Sequence, residues 1–395
     1  MKNRLRNGFL ILIILAAINF VHGAVPGDLN GDNIVSQDEL QNAENLLKEG
    51  KITSDQLDEI KHIKENYPRT IVDINNRTVT IYKPINRIIA FGGYDAELID
   101  LLGDDEKVVG VASWFKDNDF RRLCLPSLVK RPAPGDAKTP DYEAIVNLNP
   151  DAVMCWHYYT INLAEQLPSN ITVIGIDLID PAHYIDEARK LAYLLEREGR
   201  LDQYIENYYS KYIDLISARS KGLAENDRPK VYWEFPSAYS TVGKKSSSTS
   251  RIEMCGGRNI FADSDFDTST VDAEEVVKRN PDIIISLVST KIPGLGYSVD
   301  DMAKAKALRD SIMQRPELAN VTAVKNGHVY LMSSGCNTGL QQPVALAFMA
   351  KMLQPKLYKD LDPLSIDEEL MNDYLNVSFD VRNHGTLVYP LPEES

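Results

Sequence analysis

The 395-residue chain is poor in the residues that most often mark metal or redox chemistry. It has four cysteines and six histidines, and neither set clusters. Cys124, Cys155, Cys255 and Cys336 form no C-x-x-C pair. Four cysteines allow three pairings. Bonds Cys124–Cys155 and Cys255–Cys336 and four free buried thiols are both compatible with the spacing. His22, His62, His157, His183, His328 and His384 contain no i, i+4 pair, which argues against a three-histidine zinc or manganese site. Bare ferric iron held by tyrosines stays open. There is no G-x-S-x-G elbow, no phosphate loop and no G-x-G-x-x-G, so an enzyme is not expected. Positive charge is also short. The net charge of −14 argues against nucleic acid or an anionic membrane surface as partner.

The content is otherwise ordinary: 44% hydrophobic and 25% charged residues, enough for two or three globular domains. The first 23 residues carry three basic residues, an apolar stretch and small residues at Val21-x-Gly23, the pattern of a secretory signal peptide. The apolar run falls short of a comfortable span of about 20 residues. An exported protein on the extracellular or periplasmic face is expected, with an uncleaved anchor as the alternative. Four sequons, at Asn76, Asn170, Asn320 and Asn376, suit export.

Residues 24–68 read as a small helical module. In "DLNGDNIVSQDEL", Asp28, Asn30, Asp32, Ser36 and Glu39 stand at positions one, three, five, nine and twelve of a calcium loop. Ile34 would offer its carbonyl at seven. Asn33 stands where glycine is usual, and Asn tolerates the left-handed conformation. The stretch resembles one EF-hand, or half a dockerin, and Ca2+ is the expected ion. The following "KEGKITSDQLDEIKHIKENY" has too few carboxylates for a second loop.

From Thr70 onward strands alternate with helices, which argues a mostly parallel sheet. "TPDYEAIVNLNPDAVMC" and "TVDAEEVVKRNPDIIIS" are near copies. Each reads as a helix capped by Thr139 or Thr270, a stop at Asn-Pro-Asp and a buried strand. Two copies imply two lobes, each with its own sheet: residues 70–181 and 228–395. The strandless stretch 182–227 is the natural connector. After Gly199 its helix could run about 23 residues, or about 35 Å.

"RIIAF", the paired units ending "NPD", the long connecting helix and above all "EMCGGRNIF" resemble the class III solute-binding proteins of ABC importers for ferric siderophores, haem and cobalamin. The resemblance runs from about Thr70 to the C-terminus. It implies an α/β fold of two Rossmann-like lobes joined by a rigid helix, a ligand in the cleft and an ABC permease as partner. An iron chelate or a corrinoid is the implied cargo, and a monomer is expected. In the family's cobalamin binder, a glutamate near the start of each repeated helix meets arginines on the permease. The matching positions are Glu143 and Glu274, expected to be exposed and remote from the cleft. Cleft loops belong at the C-terminal ends of strands. Their aromatic, hydroxyl and basic residues suit a large planar or chelated ligand: Tyr94, Trp114, Phe115, Trp156, His157, Tyr158, Tyr239, Lys244 and Tyr297. Two other classes stay open: a cell-surface scaffold or adhesion protein using the dockerin-like module, and an enzyme acting on a metal chelate.

Overall fold

The computed structural model describes residues 25–289 and 294–392. The leader read as a signal peptide, and the centre of the loop after Ser289, lie outside them. The chain divides into two compact units after Pro68. Among the described residues no helix is long and apolar enough to cross a membrane.

The first unit is a pair of helices, Gln37–Lys48 and Ser54–Asn66, each closed at its start by a capping box: Ser36 with Glu39, and Thr53 with Gln56. Such boxes satisfy backbone N–H groups that the first turn cannot. Val35, Ala43, Ile52, Leu57, Ile60 and Ile63 form its core.

The second unit opens with an antiparallel hairpin, β1 Arg69–Val72 and β2 Thr78–Ile81. Asn76, at φ 58°, turns it. β3 Ile88–Ala90, β4 Val108–Val111, β5 Ala152–Cys155 and β6 Thr172–Gly175 then form an all-parallel sheet in the order β4-β3-β5-β6. The later strands are β7 Lys230–Glu234, β8 Ser240–Val242, β9 Arg258–Asn259, β10 Thr268–Thr270, β11 Ile283–Val288, β12 Val329–Ser333 and β13 Val388–Tyr389. They form a second sheet, ordered β10-β8-β7-β11-β12-β13 with β9 also against β7. β7, β11 and β12 are parallel; β8, β10 and β13 are antiparallel additions towards the edges. The sheets share no strand, and each has its own core. β11 is buried along its whole length, Ser286 included, as a parallel strand between two covered faces is.

The connector is two helices rather than one. Tyr184–Leu195 ends at Glu196, which is left-handed at φ 60°. A second helix runs unbroken from Glu198 to Lys221, with a π-helical turn over Ile205–Tyr209. Its inner face carries a tyrosine stack: Tyr184 lies 4.3 Å from Tyr209, and Tyr204 5.6 Å from Tyr208, between ring centres.

The two copied stretches fold alike. Helix Tyr142–Asn147 leads into β5, and helix Ala273–Arg279 into β11. The caps differ from expectation: Asp141 and Asp272 occupy the cap positions, and Thr139 and Thr270 precede them. An aspartate at that position serves as well, and Thr270 is taken up by β10. At the other end Asn149 (φ 50°) and Asn280 (φ 46°) are both left-handed. The next aspartate then ties the corner to a neighbouring strand. Asp151 accepts from the N–H groups of Asn86 and Arg87, and Asp282 from that of Lys230.

Replacing Asp151 by Ala strands both N–H groups at the start of β3. The loss should be about 1–3 kcal/mol of unfolding free energy, read as a lower urea midpoint at constant slope.

Candidate functional site

The first sheet presents three loop ends side by side. After β3 the chain turns through Gly92-Gly93 into helix Tyr94–Leu101. Gly93 is left-handed at φ 76°, and a Cβ there would collide with the Trp114 ring; only glycine admits both. Trp114 follows β4 in a 3-10 turn, and Trp156 follows β5. The three rings form one wall. Tyr94 lies 6.4 Å from Trp114 and 6.3 Å from Trp156, and the two tryptophans are 5.6 Å apart. Trp114, Trp156, Phe91 and Tyr159, with Asp136 and Lys138, also line a cavity of about 290 Å³.

Arg121 backs the wall. Its guanidinium stands 4.8 Å from the Trp114 ring, 5.3 Å from Tyr94 and 4.6 Å from Phe115, within cation–π range. Its Nε donates to Glu97 at 2.7 Å, and both residues are buried. Burial pushes the Glu97 carboxyl up, and the Arg121 charge opposes that. Asp95, beside them, is pushed up to about 7 by burial, against hydrogen bonds from the Ala96 and Gly92 N–H groups.

The second lobe closes on this wall. Gly339, left-handed at φ 67°, packs so tightly on Glu97 and Tyr94 that a Cβ would overlap both. Gln342 donates to the carbonyls of Leu178 and Ile179 at 3.2 and 2.8 Å, and Tyr209 holds the other end of its amide at 2.6 Å. Arg251, buried, adds a bond to Ile179. Asp119 accepts from Ser298 N–H and Oγ at 3.1 and 3.3 Å.

Of the expected cleft residues, Tyr94, Trp114 and Trp156 come together. Phe115 is buried beneath Arg121 and offers no surface. His157 sits beside Tyr158, ring centres 3.8 Å apart, with Nδ1 4.0 Å from Asp177; Tyr158 is 68% exposed. In the second lobe Tyr239 bonds Glu317, and Lys244 is exposed. Tyr297 is buried against Asp367, a core position rather than a cleft one. The cysteines are all free and buried, so neither proposed bond forms. Arg121, Glu97, Gly339 and Gln342 escape a reading by spacing, because charged and amide residues on helices look like surface. Only the paired glycines and "GCNTGLQQ" hinted at tight backbone contact.

Glu143 and Glu274 are both exposed, each second in its helix. The segment before the Glu143 helix carries Asp136 and Lys138 of the cavity, and Ser113, next to Trp114, bonds the Gly135 carbonyl.

In the first unit the Asp28–Glu39 turn is held by side-chain bonds to its own backbone. Asp28 accepts from the N–H groups of Gly31 and Asn33, Asn30 from Asp32, and Asp32 from Ile34. Asn33 is left-handed at φ 67°. Glu39 departs. Its Oε1 takes the Leu29 and Asn30 N–H groups, and its Oε2 takes Ser36 N–H and Oγ. The Ser36 and Leu29 backbone bonds hold its carboxyl down at about 2. Among the described residues no group of three or more His, Cys, Asp or Glu is gathered as a metal would need.

Residues 88–335 match the model of the family described as periplasmic binding protein. The chain belongs to that family. Its relatives include an uncharacterized ABC transporter substrate-binding lipoprotein of Bacillus subtilis, 26% identical over 68% of this chain and 80% of that one. A cobalamin-binding protein of Halobacterium salinarum is 24% identical over 67% and 70%. Among solved structures, the TroA-like periplasmic binding protein FepB of Veillonella parvula superposes with a TM-score of 0.67 at 24% identity, covering 81% of this chain and 99% of that one. Molybdate-bound MolA of Haemophilus influenzae gives 0.63 at 21%, covering 79% and 99%. These likenesses fix the fold as a two-lobed α/β binding protein.

Proposed function

We propose that the protein is exported and delivers an iron chelate or a corrinoid to an ABC permease, holding it against the Tyr94–Trp114–Trp156 wall. The wall carries the reading. Three aromatic faces at the ends of β3, β4 and β5, stiffened from behind by Arg121, offer a preformed platform for a broad, flat or chelated ligand. The cobalamin-binding relative supports the corrinoid class, and the iron chelate rests on the family resemblance of the sequence. No catalytic role is assigned to any residue.

The exposed Glu143 and Glu274 dock the loaded protein, one per lobe. Their matched register at two helix N-termini, where negative charge is favoured, supports the assignment. An exposed ion pair contributes only about 0.2–1 kcal/mol. Desolvated in an interface, a charge pair couples by about 1.5–7 kcal/mol.

A second reading concerns Ca2+ at Asp28, Asn30, Asp32, the Ile34 carbonyl, Ser36 and Glu39. The left-handed Asn33 supports it, since that backbone is what the sixth loop position requires. Glu39 would have to release the Leu29 and Asn30 N–H groups to serve as a ligand. Bound calcium would supply the charge that orders the turn.

Three measurements check these readings. Trp114 and Trp156 are two of the chain's three tryptophans, so cobalamin or a ferric siderophore should quench much of the fluorescence; Trp114→Ala should weaken binding at least tenfold. No quenching by either class would reject both cargoes. Glu143→Lys with Glu274→Lys should abolish uptake in cells while ligand titration is unchanged; normal uptake would refute docking. Calorimetry on the full chain should show heat with millimolar calcium, lost in Glu39→Ala; no heat with the intact protein would end the calcium reading.

A further inference from the structure

The two lobes dress their repeated helices differently. In the second lobe, helix Ala273–Arg279 carries ion pairs. Lys278 and Arg279 reach Glu275 at 3.3 and 3.7 Å, and Arg279 reaches Asp263 at 2.8 Å. Val277 packs against the core. The helix that follows β11, Ala303–Met313, adds Lys304, Lys306 and Arg309.

The first lobe has none of this. In register, Glu275, Lys278 and Arg279 become Ala144, Asn147 and Leu148. The helix that follows β5, His157–Gln166, has no lysine or arginine. The chain holds 43 lysines and arginines, yet none falls between Thr139 and Ala188. The two helices stand side by side: Ile145 and Leu163 share one core, and Asn162 donates to the Tyr142 hydroxyl at 3.3 Å. Outside that core Val146 is 44% exposed, Tyr158 68% and Ile161 54%. Val146 lies three residues from Glu143, and Ile161 three from Tyr158, so each pair shares one side of its helix. Asp141, Glu143 and Glu165, all acidic, are exposed on the same segments. Arg87, at the end of the first helix, is committed to the Leu148 and Asn149 carbonyls, and Lys138 lies on the cavity side.

Single exposed apolar residues are ordinary on a monomer. Three on adjacent helices, with acids around them and no lysine or arginine on either helix, have the make-up of a binding surface: an apolar and aromatic centre and a rim of one charge. The matching helices of the second lobe, charged of both signs, do not.

We propose, on the docking reading above, that this face is the first lobe's anchor on the permease. It seats on a basic surface with an apolar centre, and the second lobe adds the Glu274 contact alone.

The test is photocrosslinking of the full chain in its source cells. It places p-benzoylphenylalanine singly at Val146, at Ile161, at Lys278 (one turn from Glu274) or at the exposed hairpin residue Val72 as control. The Val146 and Ile161 positions should link to the importer's membrane subunit, identified by its peptides, at least fivefold more than the Val72 position. A link from the Lys278 position with none from Val146 or Ile161 would overturn the anchor and leave docking intact. No link from any of the three would remove docking and the anchor together. A link from the Ile161 position to a second copy of the chain would make the face a self-association surface and overturn the anchor. Val146→Ser with Ile161→Ser should also lower the link from the Lys278 position at least fivefold, with the thermal midpoint unchanged; an undiminished link in that variant would overturn the anchor as well.

Discussion

The architecture turns on a corner made twice. A helix must stop, reverse and feed a buried parallel strand, and the backbone groups at that reversal cannot be left bare. Asn149 and Asn280 take the left-handed conformation that ends the helix. Pro150 and Pro281 prevent its continuation. Asp151 and Asp282 then take N–H groups at the starts of β3 and β7, so each corner fixes the register of the adjacent strand. A basic side chain completes each one. Arg87 donates to the Leu148 and Asn149 carbonyls, and Lys230 to that of Arg279, at the helix ends where positive charge is favoured. Everything downstream depends on the two sheets being set this way, because the cleft wall is built on the far ends of these strands.

The corner was legible because it is local. Asn-Pro-Asp between an amphipathic run and an apolar run states its geometry within a few residues, and the hairpin at Asn76 does the same. The positive φ of Asn33 was likewise legible from its place in the turn. What stayed hidden depends on distant partners. Nothing near Tyr297 announces that Asp367 waits seventy residues on, so a tyrosine in a glycine-rich loop looked like a cleft residue. Arg121 sits in "DFRRLC", where two arginines read as surface; only the fold brings Glu97 and three aromatic rings around one of them. The helix after Gly199 was legible from its apolar spacing and runs to Lys221, whereas nothing local announced that Glu196 takes a left-handed cap.

The wall owes its rigidity to a balanced burial. A lone guanidinium under aromatic rings would be costly to desolvate, and so would a lone carboxylate. Paired at 2.7 Å, Arg121 and Glu97 hold each other in place, and the rings settle on the cation. Losing one partner of such a pair typically costs about 3–5 kcal/mol, far more than the pair itself contributes. The arrangement therefore specifies geometry more than it adds stability. Gly339 extends it across the cleft, because its missing side chain lets the second lobe touch Glu97 and Tyr94 directly.

That contact bears on how loading and docking are related. In each lobe the repeated helix runs back along its strand, so its N-terminus lies at the strand's C-terminal end, where the cleft loops are. Glu143 thus follows the segment of Asp136 and Lys138, and Glu274 follows β10. A shift of one lobe on the other must also move the two glutamates relative to each other. The lobes are joined by packed helices and by the Gln342 amide on the Leu178–Ile179 carbonyls, which resist large opening. Under the proposed docking, Glu143 and Glu274, one on each lobe, would register a shift of one lobe on the other.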